Sequence, residues 1–358
     1  MSAYAQQART DAQLEQLHGE LADRGFMPGW NRHGNPPMWP DPAGSFQPAR
    51  WDYATARSML ARAGDLVSPE LSERRNLILV NPHEGNRYPT VRTQVLAYQM
   101  IKPGERARTH RHSPHAGRLV LDADEGAYTV VDGVRLPMRS GDVLLTPGWM
   151  WHGHGHEGNE PAYWIDFLDV PLVHLLEPMF FEPHPDGWME PERETRESAL
   201  LFPYDVVSPR LDQSPVDPAG FFGRRLALGD PALPTIGLTM HRFDPGTSTR
   251  VLQTTANYQY CVVEGSGRSW IDGVEVTWAR GDVVVVPCWS EQRHESADGA
   301  TLLAVTDEPL QRYCGYLRTA DDIARGDGRH VPIGAPAALQ PSEAFSRPDP
   351  SRSTSRVD

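Results

Sequence analysis

Two stretches of this chain carry the same text. GAYTVVDGVRLPMRSGDVLLTPGWMWH, ending at His152, and GRSWIDGVEVTWARGDVVVVPCWSEQRH, ending at His294, both run through Asp-Gly, Gly-Asp, Pro and Trp in that order. Duplication at this length implies two tandem copies of one fold, each burying its own core. The Asp-Gly step between Val131 and Val134 predicts a tight hairpin, because both central positions of that turn take positive φ. Short Val-, Leu- and Thr-rich runs follow one another without helical text between them. That pattern predicts a barrel or sandwich in preference to a parallel α/β sheet. A chain of 358 residues with 31 Gly and 33 Pro has room for two such cores and their extensions.

The flanks read differently. Leu14, Leu17 and Leu21 recur at helical spacing and predict a helix over Ala8–Arg24, ended by Gly25. Asn31–Pro48 is too rich in Pro for regular structure. A second helix is expected over Tyr53–Ala63, with Ala56, Met59, Leu60 and Ala63 on one face and Gly64 at its end. Strands are expected at Asn76–Val80, Gln94–Met100 and Ala127–Val131. The expected domains are an N-terminal extension (1–75), a first barrel (76–185), a Pro- and acid-rich linker (186–225), a second barrel (226–320) and a tail (321–358) whose composition predicts a disordered or draped segment.

Composition excludes some functions. A formal charge of −13 and a pI near 5.5 argue against nucleic acid, whose phosphates require clustered Lys and Arg. Cys261, Cys288 and Cys314 lack ligand spacing and predict reduced, mostly buried thiols. The N-terminus is polar and no run approaches the ~18 apolar residues of a spanning helix, so neither a signal peptide nor a membrane anchor is expected and a cytoplasmic protein is.

Histidines concentrate between Gly104 and His156, at positions 110, 112, 115, 152, 154 and 156. Alternate residues of a strand share a face, so His110 and His112 aim at one point, and His152 on a returning strand adds a third nitrogen. Three neutral imidazoles suit zinc, copper, iron or nickel and leave positions open for substrate and O2.

Gly104, His110 and His112, with Gly141, Pro147 and His152, meet both halves of the cupin signature. ERRNLILVNP (Glu73–Pro82), PGERARTHRH (Pro103–His112), YTVVDG, TPGWMWHGHG (Thr146–Gly155) and WIDFLDVPL (Trp164–Leu172) resemble, more narrowly, the gentisate 1,2-dioxygenase family, which includes salicylate and 1-hydroxy-2-naphthoate dioxygenases. The resemblance implies an all-β dominated bicupin: two tandem double-stranded β-helix (jelly-roll) barrels behind an N-terminal helical extension. It implies Fe(II) held by His110, His112 and His152, and a homotetramer. It implies an aromatic hydroxy acid as substrate, gentisate or a substituted salicylate. Both atoms of O2 would enter between the carboxyl-bearing and hydroxyl-bearing carbons. Carried over residue by residue, it implies substrate binding by Arg118, Arg74, Gln99 and His154, and catalytic roles for His154, Arg118 and Asp166. Asp166 is expected to orient a ligand or substrate histidine, with Asp169 as the competing acid.

Most cupins add a Glu soon after the paired histidines. Ser113-Pro114-His115-Ala116-Gly117 offers none, in keeping with an all-histidine site, and His115 and His156 read as bystanders. RLVLDADEG after Arg118 is one residue longer than the family text, and SPHAG replaces a Thr-rich turn. Both departures border the pocket and leave the aromatic acid open. Two other readings are a cupin metalloenzyme of another reaction type (an isomerase, or a dioxygenase using manganese or nickel) and a non-catalytic aromatic-acid-binding cupin. In the second copy Leu252, Thr254 and Gln292 stand at the ligand positions and leave His294 alone, so no metal is expected there and the half reads as a packing and oligomerisation module.

Overall fold

In the computed structural model, which describes residues 3–30, 41–68, 72, 74–325 and 337–339, residues 1–43 form one unit and 44–358 another that contains both barrels. The first unit carries a helix over Ala3–Ala22. It stops where expected: Gly25 takes φ 75° and Phe26 N donates to Leu21 O at 2.8 Å.

Two six-stranded sheets face each other in the first barrel. One runs Leu201–Phe202, Val143–Thr146, Ala116–Asp122, Ala162–Leu168, Val95–Ile101, Arg75–Ile78. The other runs Phe181–Pro183, Arg106–His112, His152–His156, Ala127–Val131, Val134–Pro137, Arg193–Glu194. In the second barrel the two faces merge into one connected sheet of 11 strands, because Tyr258–Ile271 runs unbroken from one face to the other. Leu121 is bulged out opposite Tyr163 and Trp164, and the second barrel bulges at the matching place between Val262 and Glu264. A shared core joins the barrels, with Leu96, Tyr98 and Met100 of one packed into the same cluster as Leu238, Met240 and Leu303 of the other.

The repeated Asp-Gly text forms the expected hairpins, with φ of 42° and 77° at Asp132 and Gly133 and 49° and 79° at Asp272 and Gly273. The repeated Gly-Asp text does something less obvious. Asp142 and Asp282 are buried, and each receives the first backbone N–H of a helix. Asp282 takes Tyr53 N at 2.9 Å, starting the helix Tyr53–Leu66, while Ala49–Trp51 pairs with Val283–Val285. Asp142 takes Tyr204 N at 2.9 Å, starting the helix Tyr204–Gln213, while Leu201–Phe202 pairs with Val143–Leu144. The segment that precedes the first barrel therefore completes the second. The stretch expected to be a linker completes the first.

Gly141 and Gly281 both take φ 87°, and a Cβ there would lie 2.6 Å from the Tyr204 ring or 2.2 Å from the Tyr53 ring. Gly281→Ala is expected to lower the unfolding free energy by about 2–4 kcal/mol, from left-handed backbone strain plus displacement of the tyrosine. Gly141→Ala should cost about the same. Denaturant melts check both, and wild-type stability in either variant would show that the turn relaxes freely.

Sequence and structure differ in detail. The helix from Tyr53 continues through Gly64 to Leu66; the glycine is there for close approach, since a Cβ would meet Lys102 and Met100 side chains at 2.7 Å. Of the cysteines only Cys261 is buried; Cys288 is half-buried and Cys314 exposed. From the expected tail, Ala320–Arg325 contributes to a short helix and Ala337–Leu339 lies parallel to Arg224–Leu228. Positions 326–336 and 340–358, and positions 31–40 of the Pro-rich stretch, lie outside the described residues. Among the described residues no helix is long and apolar enough to cross a membrane.

Candidate active site

The strand Arg106–His112 pairs Ala107 with His154 and His110 with His152, so one extra residue is bulged out between them. That bulge re-aims the end of the strand and turns His110 and His112 together toward the barrel axis. Arg111 points the other way. Its guanidinium lies over the rings of Trp149 at 4.5 Å and Trp151 at 4.4 Å and pairs with Glu182 at 2.7 Å, which fixes the strand from outside.

One donor nitrogen from each of His110, His112 and His152 lies within 4.8 Å of the other two. Each ring's Nδ1 faces a backbone carbonyl: Arg108 O at 3.1 Å, Pro114 O at 2.9 Å and Met150 O at 2.9 Å. An Nδ1 that donates to a carbonyl puts the lone pair on Nε2, the tautomer a metal needs. Burial holds all three imidazoles neutral. His110 is pushed down to about 3, by desolvation first and by the Arg74 guanidinium next; His112 is lowered and His152 lies well below the ordinary range for the same leading cause. Three neutral nitrogens ready to bind, with no carboxylate among them, fit a dication and leave its charge uncompensated.

Beside the triad runs a buried polar chain. Arg74 Nε donates to Gln99 Oε1, and Gln99 Nε2 donates to Asp166 Oδ2 at 2.6 Å. Asp166 Oδ1 faces Arg118 Nε at 3.6 Å, both side chains being almost fully buried. Among the described residues neither of those two facing atoms has a hydrogen-bond partner. Arg118 Nη1 then donates to Thr129 Oγ1 at 3.1 Å and lies 2.5 Å from His154 Nδ1. Burial pushes Arg118 down to about 10, opposed by Asp166, so the guanidinium is still charged at neutral pH. His154 is held well below its ordinary range by burial and then by Arg118. The result is a neutral imidazole, two cations and one anion around a three-nitrogen centre.

The structure thus brings together the residues read as metal- or substrate-binding or catalytic: His110, His112, His152, His154, Arg118, Arg74, Gln99 and Asp166. It corrects the contact expected of Asp166: that carboxylate binds Arg118 and Gln99, while the triad is oriented by backbone carbonyls. It also separates the Arg74-Arg75 doublet, because Arg75 is buried against Glu105 and Val67 O, away from the chain that starts at Arg74. Glu70 and Glu73, the acids just ahead of the doublet in sequence, lie outside the described residues. His115 accepts Gly148 N at 3.0 Å, and Nε2 of His156 bonds Glu160 O, so both are occupied by backbone. Thr129 and Trp164 were not singled out. Thr129 sits directly across from His154, and the Trp164 ring lies 5.7 Å from the His154 ring. The only signal for either was strand register, since Thr129 lies just ahead of the Asp-Gly hairpin.

In the second barrel Leu252 pairs with Gln292, as His110 pairs with His152. The interior is a neutral relay. Trp278 Nε1 donates to Ser269 Oγ at 2.8 Å, Ser269 Oγ meets His294 Nδ1 at 2.7 Å, His294 Nε2 meets Gln292 Oε1 at 3.1 Å, and Tyr260 OH donates to the same oxygen at 2.8 Å. His294 is satisfied on both nitrogens, and burial pushes it down to about 4.

Comparison with known proteins agrees with this geometry. Residues 97–170 match the family described as Cupin domain. The 5-aminosalicylate 1,2-dioxygenase of Comamonas sp is 32% identical over 346 residues, covering 87% of this chain and 91% of its own. The gentisate 1,2-dioxygenase of Streptomyces sp is 33% identical over 344 residues, covering 86% of this chain and 95% of its own. The crystal structure of a salicylate 1,2-dioxygenase from Pseudaminobacter salicylatoxidans superposes with a TM-score of 0.77 at 26% identity, covering 86% of this chain and 96% of that one. A two-barrel cupin with this histidine centre, related over most of its length to such enzymes, belongs to the gentisate and salicylate family of ring-cleaving 1,2-dioxygenases.

Proposed function

We propose that the chain uses Fe(II) and O2 to open the ring of gentisate or a substituted salicylate, breaking the bond between the carboxyl-bearing and hydroxyl-bearing carbons and placing both oxygen atoms in the product. The observation that carries the reading is the neutral three-histidine group and the Arg118–His154 pair inside the same barrel. His110, His112 and His152 would hold the iron, which when bound supplies a site for the two ortho oxygens of the substrate and for electron transfer to O2.

The residues of the chain do the rest. Arg118 and Arg74 supply positive charge for the carboxylate, and the planar fork of a guanidinium suits two-point recognition of it. Asp166 holds Arg118 from behind and, through Gln99, steadies Arg74. His154 is neutral, with Arg118 Nη1 2.5 Å from its Nδ1 and 2.9 Å from its Nε2 and Thr129 beside Nδ1, so the ring and the guanidinium would meet an anionic oxygen of the substrate as a pair. Burial excludes water from these contacts and so strengthens each of them.

We further assign 76–185 to the metal-binding barrel and 226–320 to the second, with Asp142 and Asp282 as the points where outside segments dock. A cytoplasmic homotetramer is the assembly we favour. The resemblance supports it, as does the exposed apolar run Leu175, Leu176, Phe180 and Phe181. Light scattering on the purified protein tests that assembly.

Oxygen uptake with gentisate, salicylate and amino-, nitro- and chloro-salicylates, with and without ferrous iron, tests the function. Uptake is expected only in the iron-loaded protein and only with ring acids carrying an ortho hydroxyl. Absence of uptake with the whole panel would sink the proposal, and uptake with manganese or nickel but not iron would reassign the metal.

A further inference from the structure

The two barrels carry matching clasps that cross between them. In the first, Asp169 precedes the helix Val170–Leu176; its Oδ1 accepts His115 N at 2.8 Å and its Oδ2 accepts the hydroxyl of Thr235, between the strands Arg224–Leu228 and Gly237–Phe243 of the second barrel. In the second, Asp307 precedes the helix Glu308–Tyr313; its Oδ1 accepts Asn257 N at 2.8 Å and its Oδ2 accepts the hydroxyl of Thr93, in the first barrel, at 2.8 Å. The side chain of the middle residue then holds a turn. His115 Nδ1 accepts Gly148 N at 3.0 Å, and Asn257 Oδ1 accepts Cys288 N at 2.9 Å. Both turns need holding, because the next residues, Trp149 and Trp289, take φ of 69° and 67°, a conformation costly for a bulky side chain.

The clasps differ in two ways. Asn257 has an amide to spare, and its Nδ2 gives Asp307 Oδ2 a second hydrogen bond at 2.7 Å. His115 makes no such side-chain bond to Asp169 among the described residues, its Nδ1 accepting Gly148 N. The other difference is what each turn carries. His115 lies in the turn that follows His112, and Gly148 in the turn that precedes His152. His112 Nδ1 faces Pro114 O at 2.9 Å and Trp149 N donates to His112 O at 2.8 Å, so the first clasp stitches together the two turns that bear metal ligands.

We infer that the second barrel keeps the three-histidine centre in shape through the Thr235–Asp169–His115–Gly148 chain, with His115 and Asp169 as positioning residues for the metal and Thr235 as the contact that ties this chain to the second barrel. The inference rests on the triad holding iron and is independent of which aromatic acid is bound.

The test compares Thr235→Val with Thr93→Val in the full-length, iron-loaded protein. Iron release to a coloured ferrous chelator is followed with time, beside a thermal melt. Thr235→Val is expected to release iron about tenfold faster, at the lower end of the effects seen when groups that orient metal ligands are removed. Thr93→Val is expected to release iron at the wild-type rate, since Asn257 still binds Asp307. A second pair works from the other end: His115→Asn, which borrows the group used in the sister clasp, should retain iron, and His115→Ala should lose it. Release from Thr235→Val no faster than from Thr93→Val, or equal release from His115→Asn and His115→Ala, overturns the inference. Failure of the wild-type protein to take up iron overturns instead the metal reading beneath it.

Discussion

His110→Ala is expected to abolish stoichiometric iron binding and, with it, oxygen uptake. Structural zinc sites bind with about 10–16 kcal/mol shared by four ligands, which puts one ligand near 2.5–4 kcal/mol, on the order of 10²–10³-fold in affinity, and the same scale is expected for one nitrogen of this three-histidine group. The same loss is expected for His152→Ala, whose ring is as deeply buried. Iron content after desalting and oxygen uptake on the same preparation give two readings that should fall together. Retained iron with retained activity would refute the triad. His294→Ala is the informative contrast, because that ring is bonded on both nitrogens by Ser269 and Gln292; it should cost stability and leave iron in place.

Arg118→Lys should keep its iron and lose turnover. A lysine preserves the charge, but it cannot span Asp166, Thr129 and His154 together or offer a carboxylate two parallel donors. Two charge-assisted hydrogen bonds at about 1.5–3 kcal/mol each, partly replaced by the ammonium, predict a fall of about 10²–10³ in kcat/KM. The loss is expected in KM as well as kcat, because the fork both binds and orients. Asp166→Asn should fall between the variant and wild type, since it removes the negative charge behind Arg118 and keeps an acceptor for Gln99. Kinetics of iron-loaded Arg118→Lys within about twofold of wild type would take Arg118 out of the substrate site.

What could be read from the chain follows from the range of the forces involved. The repeat revealed two barrels because Asp-Gly and Gly-Asp turns are local necessities, imposed by φ at Gly133, Gly141, Gly273 and Gly281. The triad was legible because alternation along a strand is also local. Arg118, Gln99 and Asp166 came only with the family resemblance, and the structure changed the contact made by Asp166: a carboxylate's partner is chosen by the strands beside it, here those carrying Arg118 and Gln99. Thr129 escaped notice for the same reason, as a small hydroxyl whose importance is set wholly by the residue opposite. His115 looked idle because no sequence signal announces a backbone N–H arriving from Gly148. The exchange of docking segments between barrels was the least visible, since nothing around Tyr53 or Asp282 names the other.

That exchange bears on how the chain is made. Tyr53 reaches its partner Asp282 across 229 residues of sequence, and Arg50 reaches the same carboxylate across 232. A chain emerging from the ribosome exposes Ala49–Trp51 long before its partner strand Val283–Val285 has been synthesised. Contacts this distant must wait for loop closure and slow the final step of folding. The first barrel, by contrast, is closed as soon as Leu201–Phe202 and Tyr204 emerge. Synthesis should therefore pass through a stage in which the iron-binding half is nearly complete while a short N-terminal strand is left unpaired. That edge is the place where a chaperone, or another copy of the nascent chain, would make its first contact.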